Sequence, residues 1–166
     1  GAGLANGKSI IEGISSSEDM KATLDCLSAI GAKYEIEGDK VTITGADIRN
    51  IPEGAVLKCR ESGSTLRFFI PICLLDGKTF TLTGSEKLLS RPLSVYEDIF
   101  KKQGITFEAS PDKIKVGGKL QSGTYKIKGN ISSQFITGLL FVLPLLEDDS
   151  VIQLIPPVES LSYINL

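Results

Sequence analysis

Lys33-Tyr34-Glu35-Ile36-Glu37-Gly38-Asp39-Lys40-Val41-Thr42-Ile43 places Tyr34, Ile36, Val41 and Ile43 at every second position on either side of a Glu37-Gly38-Asp39 turn. That period of two predicts a β-hairpin with one buried face. The pattern returns at Thr106-Phe107-Glu108, turn Ser110-Pro111-Asp112, and Lys113-Ile114-Lys115-Val116. Gly45 and Gly118 close the two hairpins, 73 positions apart. A strand pair that comes twice at near-constant spacing predicts a repeated supersecondary unit.

The flanks repeat with it. Before each hairpin lies an amphipathic helix. The first runs from Glu18-Asp19-Met20 through Ala29-Ile30, with Met20, Leu24 and Leu27 on one face. The second runs from Ser90-Arg91-Pro92-Leu93 through Ile99-Phe100, with Leu93, Tyr96 and Phe100 on one face. Gly31 and Gly104 stand where a left-handed C-cap is expected. Ahead of the helices, Ser9-Ile10-Ile11-Glu12 and Phe80-Thr81-Leu82-Thr83 read as strands, each followed by a glycine, Gly13 or Gly84. After the hairpins, Val56-Leu57-Lys58-Cys59 and Tyr125-Lys126-Ile127 read as further strands. Each leads into a nearly all-apolar helix, Leu66 to Leu75 or Phe135 to Leu146.

The expected order is therefore strand, amphipathic helix, two strands, strand, buried helix. Unit one spans 8–77 and unit two 78–148. A third, truncated unit starts at 149–166 with the strand Val151-Ile152-Gln153-Leu154 and the polar stretch Pro156-Pro157-Val158-Glu159-Ser160-Leu161-Ser162-Tyr163. Residues 1–166 read as a single partial α/β (α+β) domain, a fragment of a larger polypeptide.

Composition narrows the chemistry. The 166 residues include no histidine and no tryptophan. This excludes Ser/His/Asp and Cys/His triads in their usual form and any His-ligated metal. Cys26, Cys59 and Cys73 are scattered, cannot fill a four-ligand zinc site, and read as buried small hydrophobes in a reducing compartment. A net charge of −2 gives no basic footprint for nucleic acid. The longest apolar stretch, 135–146, is too short to span a bilayer, and Gly1 to Gly7 lacks a secretory signal pattern. What remains for handling an anion is Arg, Lys, hydroxyls, amides and helix N-termini.

These groups collect at loop-to-helix junctions. Cys59-Arg60-Glu61-Ser62-Gly63-Ser64-Thr65-Leu66-Arg67 puts small hydroxyl residues and glycine before a buried helix. Free N–H groups and the helix dipole favour an anion there, and Arg67 could add a guanidinium. Simple N-capping by Ser62 or Ser64, with Arg67 solvated, explains the same pattern. Ser132-Ser133-Gln134 is a second such junction. In Arg91-Pro92 the proline is expected at the first helical position. An arginine beside the positive end of a helix dipole then points to a ligand carboxylate or phosphate. Ser160-x-x-Tyr163 is the fourth junction. Gly7-Lys8-Ser9 fails the phosphate-loop spacing because Ala2 stands where glycine is needed. Glu18-Asp19, Glu97-Asp98 and Glu147-Asp148-Asp149 read as solvated.

Glu61-Ser62-Gly63-Ser64-Thr65-Leu66-Arg67, Gly84-Ser85-Glu86-Lys87-Leu88-Leu89-Ser90-Arg91-Pro92-Leu93 and Gly129-Asn130-Ile131-Ser132-Ser133-Gln134-Phe135 resemble the enolpyruvyl transferases. Within them the match is to the EPSP synthase family of the shikimate pathway. The sister family acting on UDP-N-acetylglucosamine lacks the Ser-Ser-Gln-Phe tetrad. The resemblance implies repeated βαβαββ units with buried helices, three to a domain, and a second domain in the same polypeptide. About two and a fraction of the three units would lie in this chain.

Roles follow by the same resemblance. Ser132, Ser133, Gln134, Ser160 and Tyr163 match residues that bind shikimate 3-phosphate. Gly63 (through its N–H), Arg91 and Gln134 match groups that bind phosphoenolpyruvate and the inhibitor glyphosate. Ser64 and Arg67 would support them. Glu61 departs from the asparagine found in many members. No catalytic acid–base residue, cofactor or metal is expected in this chain, and it would be inactive alone. The setting implied is cytoplasmic aromatic amino acid biosynthesis. A non-catalytic repeat module that binds partners is the alternative from a different class.

Overall fold

The computed structural model describes residues 1–158. Its strands are β1 (Lys8–Ile11), β2 (Lys33–Glu37), β3 (Lys40–Thr44), β4 (Val56–Lys58), β5 (Thr79–Thr83), β6 (Thr106–Ala109), β7 (Lys113–Gly117), β8 (Thr124–Lys128) and β9 (Val151–Ile155). Its α-helices are α1 (Glu18–Ala29), α2 (Gly63–Ile72), α3 (Glu86–Leu89), α4 (Ser94–Gln103) and α5 (Ser133–Val142). The repeated order expected from sequence is present, with α3 as an extra turn in the second pass.

Helices α1, α2, α3 and α5 each begin behind a serine that caps them. Ser17 accepts the Met20 N–H at 3.1 Å, and Glu18 and Asp19 sit in the first turn of α1, where the dipole favours acids. Ser62 and Ser132 cap α2 and α5 in the same way. Helix α4 ends at Gly104, whose φ of 66° lies in the left-handed region. Gly104→Ala is expected to lower stability by about 1–2 kcal/mol, measured by urea unfolding.

Two expectations need correction. Pro92 is not the first helical residue: α4 begins at Ser94 behind Leu93, which makes no side-chain cap. Arg91-Pro92 instead lies in the link between α3 and α4. The four residues after Ser85 close a turn of their own, because the Ser85 hydroxyl accepts the Leu88 N–H at 3.2 Å. The apolar stretch 135–146 is also not one helix. Helix α5 stops at Val142, and Leu143–Leu145 form a 3-10 turn around Pro144, which has no N–H to continue the ladder.

The strands form three sheets, ordered β1-β3-β2, β4-β5-β7-β6 and β8-β9. The pairs β4–β5 and β8–β9 are parallel and the others antiparallel. Each parallel pair is bridged by a buried helix, α2 or α5. The middle sheet thus joins β4, from before residue 78, to β5, β6 and β7 after it. Its inward residues, among them Phe80, Leu82, Ile114 and Val116, are fully buried with Phe69, Ile70 and Leu74 of the α2 segment. Each such side chain contributes roughly 1.5–3 kcal/mol through burial. Cys26, Cys59 and Cys73 are all buried and free. No helix among the described residues is long and apolar enough to cross a membrane.

Candidate functional site

Helices α2 and α5 pack side by side and start at the same end. Arg67 meets Gln134, and one residue on Phe68 meets Phe141 edge-on, ring centroids 5.4 Å apart. Their backbones approach closely at Gly138. A Cβ there would overlap the Tyr96 hydroxyl and come within 2.7 Å of the Arg67 carbonyl and 3.4 Å of Pro71. Tyr96, on α4 and fully buried, donates its hydroxyl to the Arg67 carbonyl at 2.7 Å and also reaches that of Phe135 at 3.3 Å. Burial pushes the Tyr96 phenol well above its ordinary pKa, so it stays a donor.

The loop before α2 is tied to its neighbours. The Cys59 N–H donates to the Thr83 carbonyl and the Ser85 N–H to the Arg60 carbonyl, each at 2.8 Å. Arg60 holds a left-handed φ of 53°, a strained conformation for an arginine. Its guanidinium donates to Glu18 and to Asp25, each at 2.7 Å, and this clamp fixes it. Lys21 first and then Arg60 hold the Glu18 carboxyl below its ordinary pKa. The Glu18 arm of the clamp is therefore present above the ordinary carboxylate range and is lost as pH falls through the lowered value. Beneath the loop, the Ser62 Oγ accepts from the Thr65 N–H at 3.3 Å and from its hydroxyl at 2.8 Å. The Thr65 hydroxyl also lies 2.8 Å from that of Thr23 on α1.

At this end of the two helices, four of the expected residues meet. A Cβ on Gly63 would stand 2.6 Å from the Arg91 Nη1 and 3.9 Å from the Arg67 Nη1. The Arg67 Nη1 donates to the Gln134 Oε1 at 2.7 Å, and its guanidinium carbon lies 4.8 Å from the Phe135 ring centre. Burial, and after it the nearby Arg91 charge, lower the Arg67 pKa. Neither Arg67 nor Arg91 has an ion pair among the described residues. Two guanidiniums without a carboxylate, at the positive end of a helix, leave a place that favours an anion.

The other expected residues sit as follows. Ser62 and Ser64 hydroxyls are 3.2 Å apart at the start of α2. The Ser132 Oγ accepts the Gln134 N–H at 3.4 Å, and Ser133 opens α5. The Gly129 N–H donates to the Ile155 carbonyl at 2.8 Å, so the loop before Ser132 is fastened to the end of β9. Ser160 and Tyr163 lie outside the described residues. Glu61 is exposed. A cleft of about 760 Å³ lies elsewhere: Leu75, Asp76, Leu145 and Leu146 place it past the far ends of α2 and α5. Sequence reading placed Tyr96 only on a core face. Its lone hydroxyl among Leu93, Ile99 and Phe100 was the available sign that it needs a buried acceptor.

Fold and site together define a mixed α/β protein in which two buried, co-aligned helices bring N-terminal donors and cationic groups to one place. The model of the EPSP synthase (3-phosphoshikimate 1-carboxyvinyltransferase) family matches residues 1–165, and the chain belongs to that family. The 3-phosphoshikimate 1-carboxyvinyltransferase of Clostridium perfringens (strain SM101 / Type A) is 43% identical over 167 residues, covering 99% of this chain and 39% of the relative. That of Clostridioides difficile (strain 630) is 39% identical over 175 residues, covering 98% and 40%. The solved EPSP synthase from Acinetobacter baumannii shares the fold, with a TM-score of 0.77 at 18% identity, over 99% of this chain and 38% of that one. The chain spans about two fifths of the length of these relatives.

Proposed function

We propose that the chain supplies the anion-holding part of a site that moves the enolpyruvyl group from phosphoenolpyruvate to the 5-hydroxyl of shikimate 3-phosphate. In that reaction C3 of phosphoenolpyruvate gains a proton, and the hydroxyl oxygen bonds to C2 and loses its own proton. The tetrahedral adduct then expels inorganic phosphate and gives up a C3 proton, which restores the double bond. Such chemistry needs charge stabilisation at the phosphates and groups that move protons. The observation that carries the reading is the meeting of Gly63, Arg67, Arg91 and Gln134, with no ion-paired carboxylate on either arginine among the described residues. The family match supports it.

In this reading Gly63, Arg91 and Gln134 hold phosphoenolpyruvate. Ser132, Ser133, Gln134, Ser160 and Tyr163 hold shikimate 3-phosphate, and Ser64 and Arg67 support them. Units 8–77, 78–148 and 149–166 belong to one domain, and the proton-moving groups come from a second domain of the same polypeptide in the cytoplasm. The isolated chain binds shikimate 3-phosphate and does not turn it over.

Titration calorimetry on the folded chain tests this. Heat of binding is expected with shikimate 3-phosphate and, more weakly, with inorganic phosphate. No heat with either overturns the binding claim, and enolpyruvyl product from the isolated chain overturns the claim of inactivity. Gly63→Ala is expected to fold as the wild type does, because its Cβ meets only the mobile tip of Arg91. It displaces that guanidinium and weakens binding of phosphoenolpyruvate several-fold, which competition titration measures.

A further inference from the structure

We infer that Arg67 is a positioning residue that locks the Gln134 side-chain amide so that both of its N–H donors face the bound anion. The inference rests on the phosphate-binding reading above. A glutamine amide is ambidextrous, with an acceptor oxygen and a donor nitrogen that a half-turn exchanges. A guanidinium has donors only, so the 2.7 Å contact from the Arg67 Nη1 can be made only to Oε1. With Oε1 held, Nε2 is the free end of the amide. A released amide would present its oxygen to the anion for part of the time and repel it.

Three contacts hold Arg67 itself in place. Its guanidinium lies over the Phe135 ring, one residue from Gln134. Its carbonyl accepts the Tyr96 hydroxyl, which also reaches the Phe135 carbonyl. Its backbone carbonyl lies within 2.7 Å of where a Cβ on Gly138 would stand. The side chain that orients Gln134 is thus fixed to the helix that carries Gln134. Arg67 acts through the amide and belongs with the positioning groups, whereas Arg91 is exposed and lies against Gly63.

The test reads the Gln134 side-chain amide by 15N relaxation in the ligand-free chain, beside titration with inorganic phosphate and shikimate 3-phosphate. The wild-type amide is expected to be ordered, with an order parameter near 0.8, and Arg67→Met to lower it below about 0.6. Binding should weaken about tenfold in Arg67→Met, and Gln134→Ala added to it should cost less than about twofold more. Gln134→Glu keeps the Arg67 contact as an ion pair but removes the donors. It is expected to unfold at a urea concentration no lower than the wild type and to lose binding about tenfold or more. An equally ordered Gln134 amide in Arg67→Met overturns the inference. Additive binding losses, or wild-type affinity in Gln134→Glu, do the same. If Arg67→Met does not fold, Arg67→Lys and Gln134→Glu decide it; Arg67→Lys keeps the charge with fewer donors and should give an amide of intermediate order. If the wild-type chain binds neither probe, the phosphate-binding reading fails, and the amide order in the free chains still decides this inference.

Discussion

Gly138→Val is expected to lower stability by about 3 kcal/mol or more, seen as a large fall in the urea midpoint. The physical cause is the helix crossing. Even a single Cβ at this position meets the Tyr96 hydroxyl, the Arg67 carbonyl and Pro71 at once. The Arg67 carbonyl is backbone and cannot swing aside, so α2 and α5 must separate, and overpacking of this kind costs about 1–3 kcal/mol or more. The two γ-methyls of valine add to it. Tyr96→Phe alone should cost about 1 kcal/mol, because it leaves the shared carbonyls of Arg67 and Phe135 short of one donor. Combined with Gly138→Ala it should cost less than the sum, because the hydroxyl that the new methyl strikes is gone. A Gly138→Ala chain as stable as the wild type would mean that the crossing is not rigid. In that event the arrangement of Arg67 and Gln134 would need another cause.

Arg91→Ala is expected to do the reverse: leave stability unchanged and remove most of the binding of phosphoenolpyruvate or phosphate. The side chain is exposed and makes no ion pair among the described residues, so its loss should move stability by no more than about 0.5 kcal/mol. Removing a like charge beside Arg67 offsets part of even that small change. A charge-assisted contact to phosphate contributes about 1.5–3 kcal/mol, so affinity should fall roughly 10- to 150-fold. The measurement is the shift of Tm with added phosphate, which follows mass action on the folded state. The wild type should gain stability with ligand, and Arg91→Ala should gain little at the same concentration. Equal shifts in both proteins would remove Arg91 from the site.

Much of this was legible before any coordinates. The hairpins at 33–44 and 106–117 followed from period-two alternation, although only their second strands bury it: Val41, Ile43, Ile114 and Val116 are buried, whereas Ile36 on the edge strand β2 is exposed. Helices α2 and α5 followed from serine caps ahead of apolar stretches, and α1 from its amphipathic face of Met20, Leu24 and Leu27. The start of α4 was misplaced because Arg91-Pro92 has the look of a first turn, while Ser85 had already begun one. Nothing in the local pattern distinguishes two adjacent candidate starts. The pairing of β4 with β5 across the repeat was equally invisible, since parallel partners are joined through a helix and carry no turn signal.

The sequence by itself determined the repeated order, the polar helix starts and, with no histidine in 166 residues, the limited chemical tools. Those are properties of neighbours along the chain, and local periodicity and capping chemistry suffice to read them. Only the tertiary structure decided that Arg67 faces Gln134, that Arg91 closes on Gly63, and that Tyr96 holds the two helices together. Residues 67 and 134 lie on helices from different passes of the repeat. Their meeting depends on how closely α2 and α5 can approach, and Gly138 leaves room there for the Arg67 carbonyl and the Tyr96 hydroxyl.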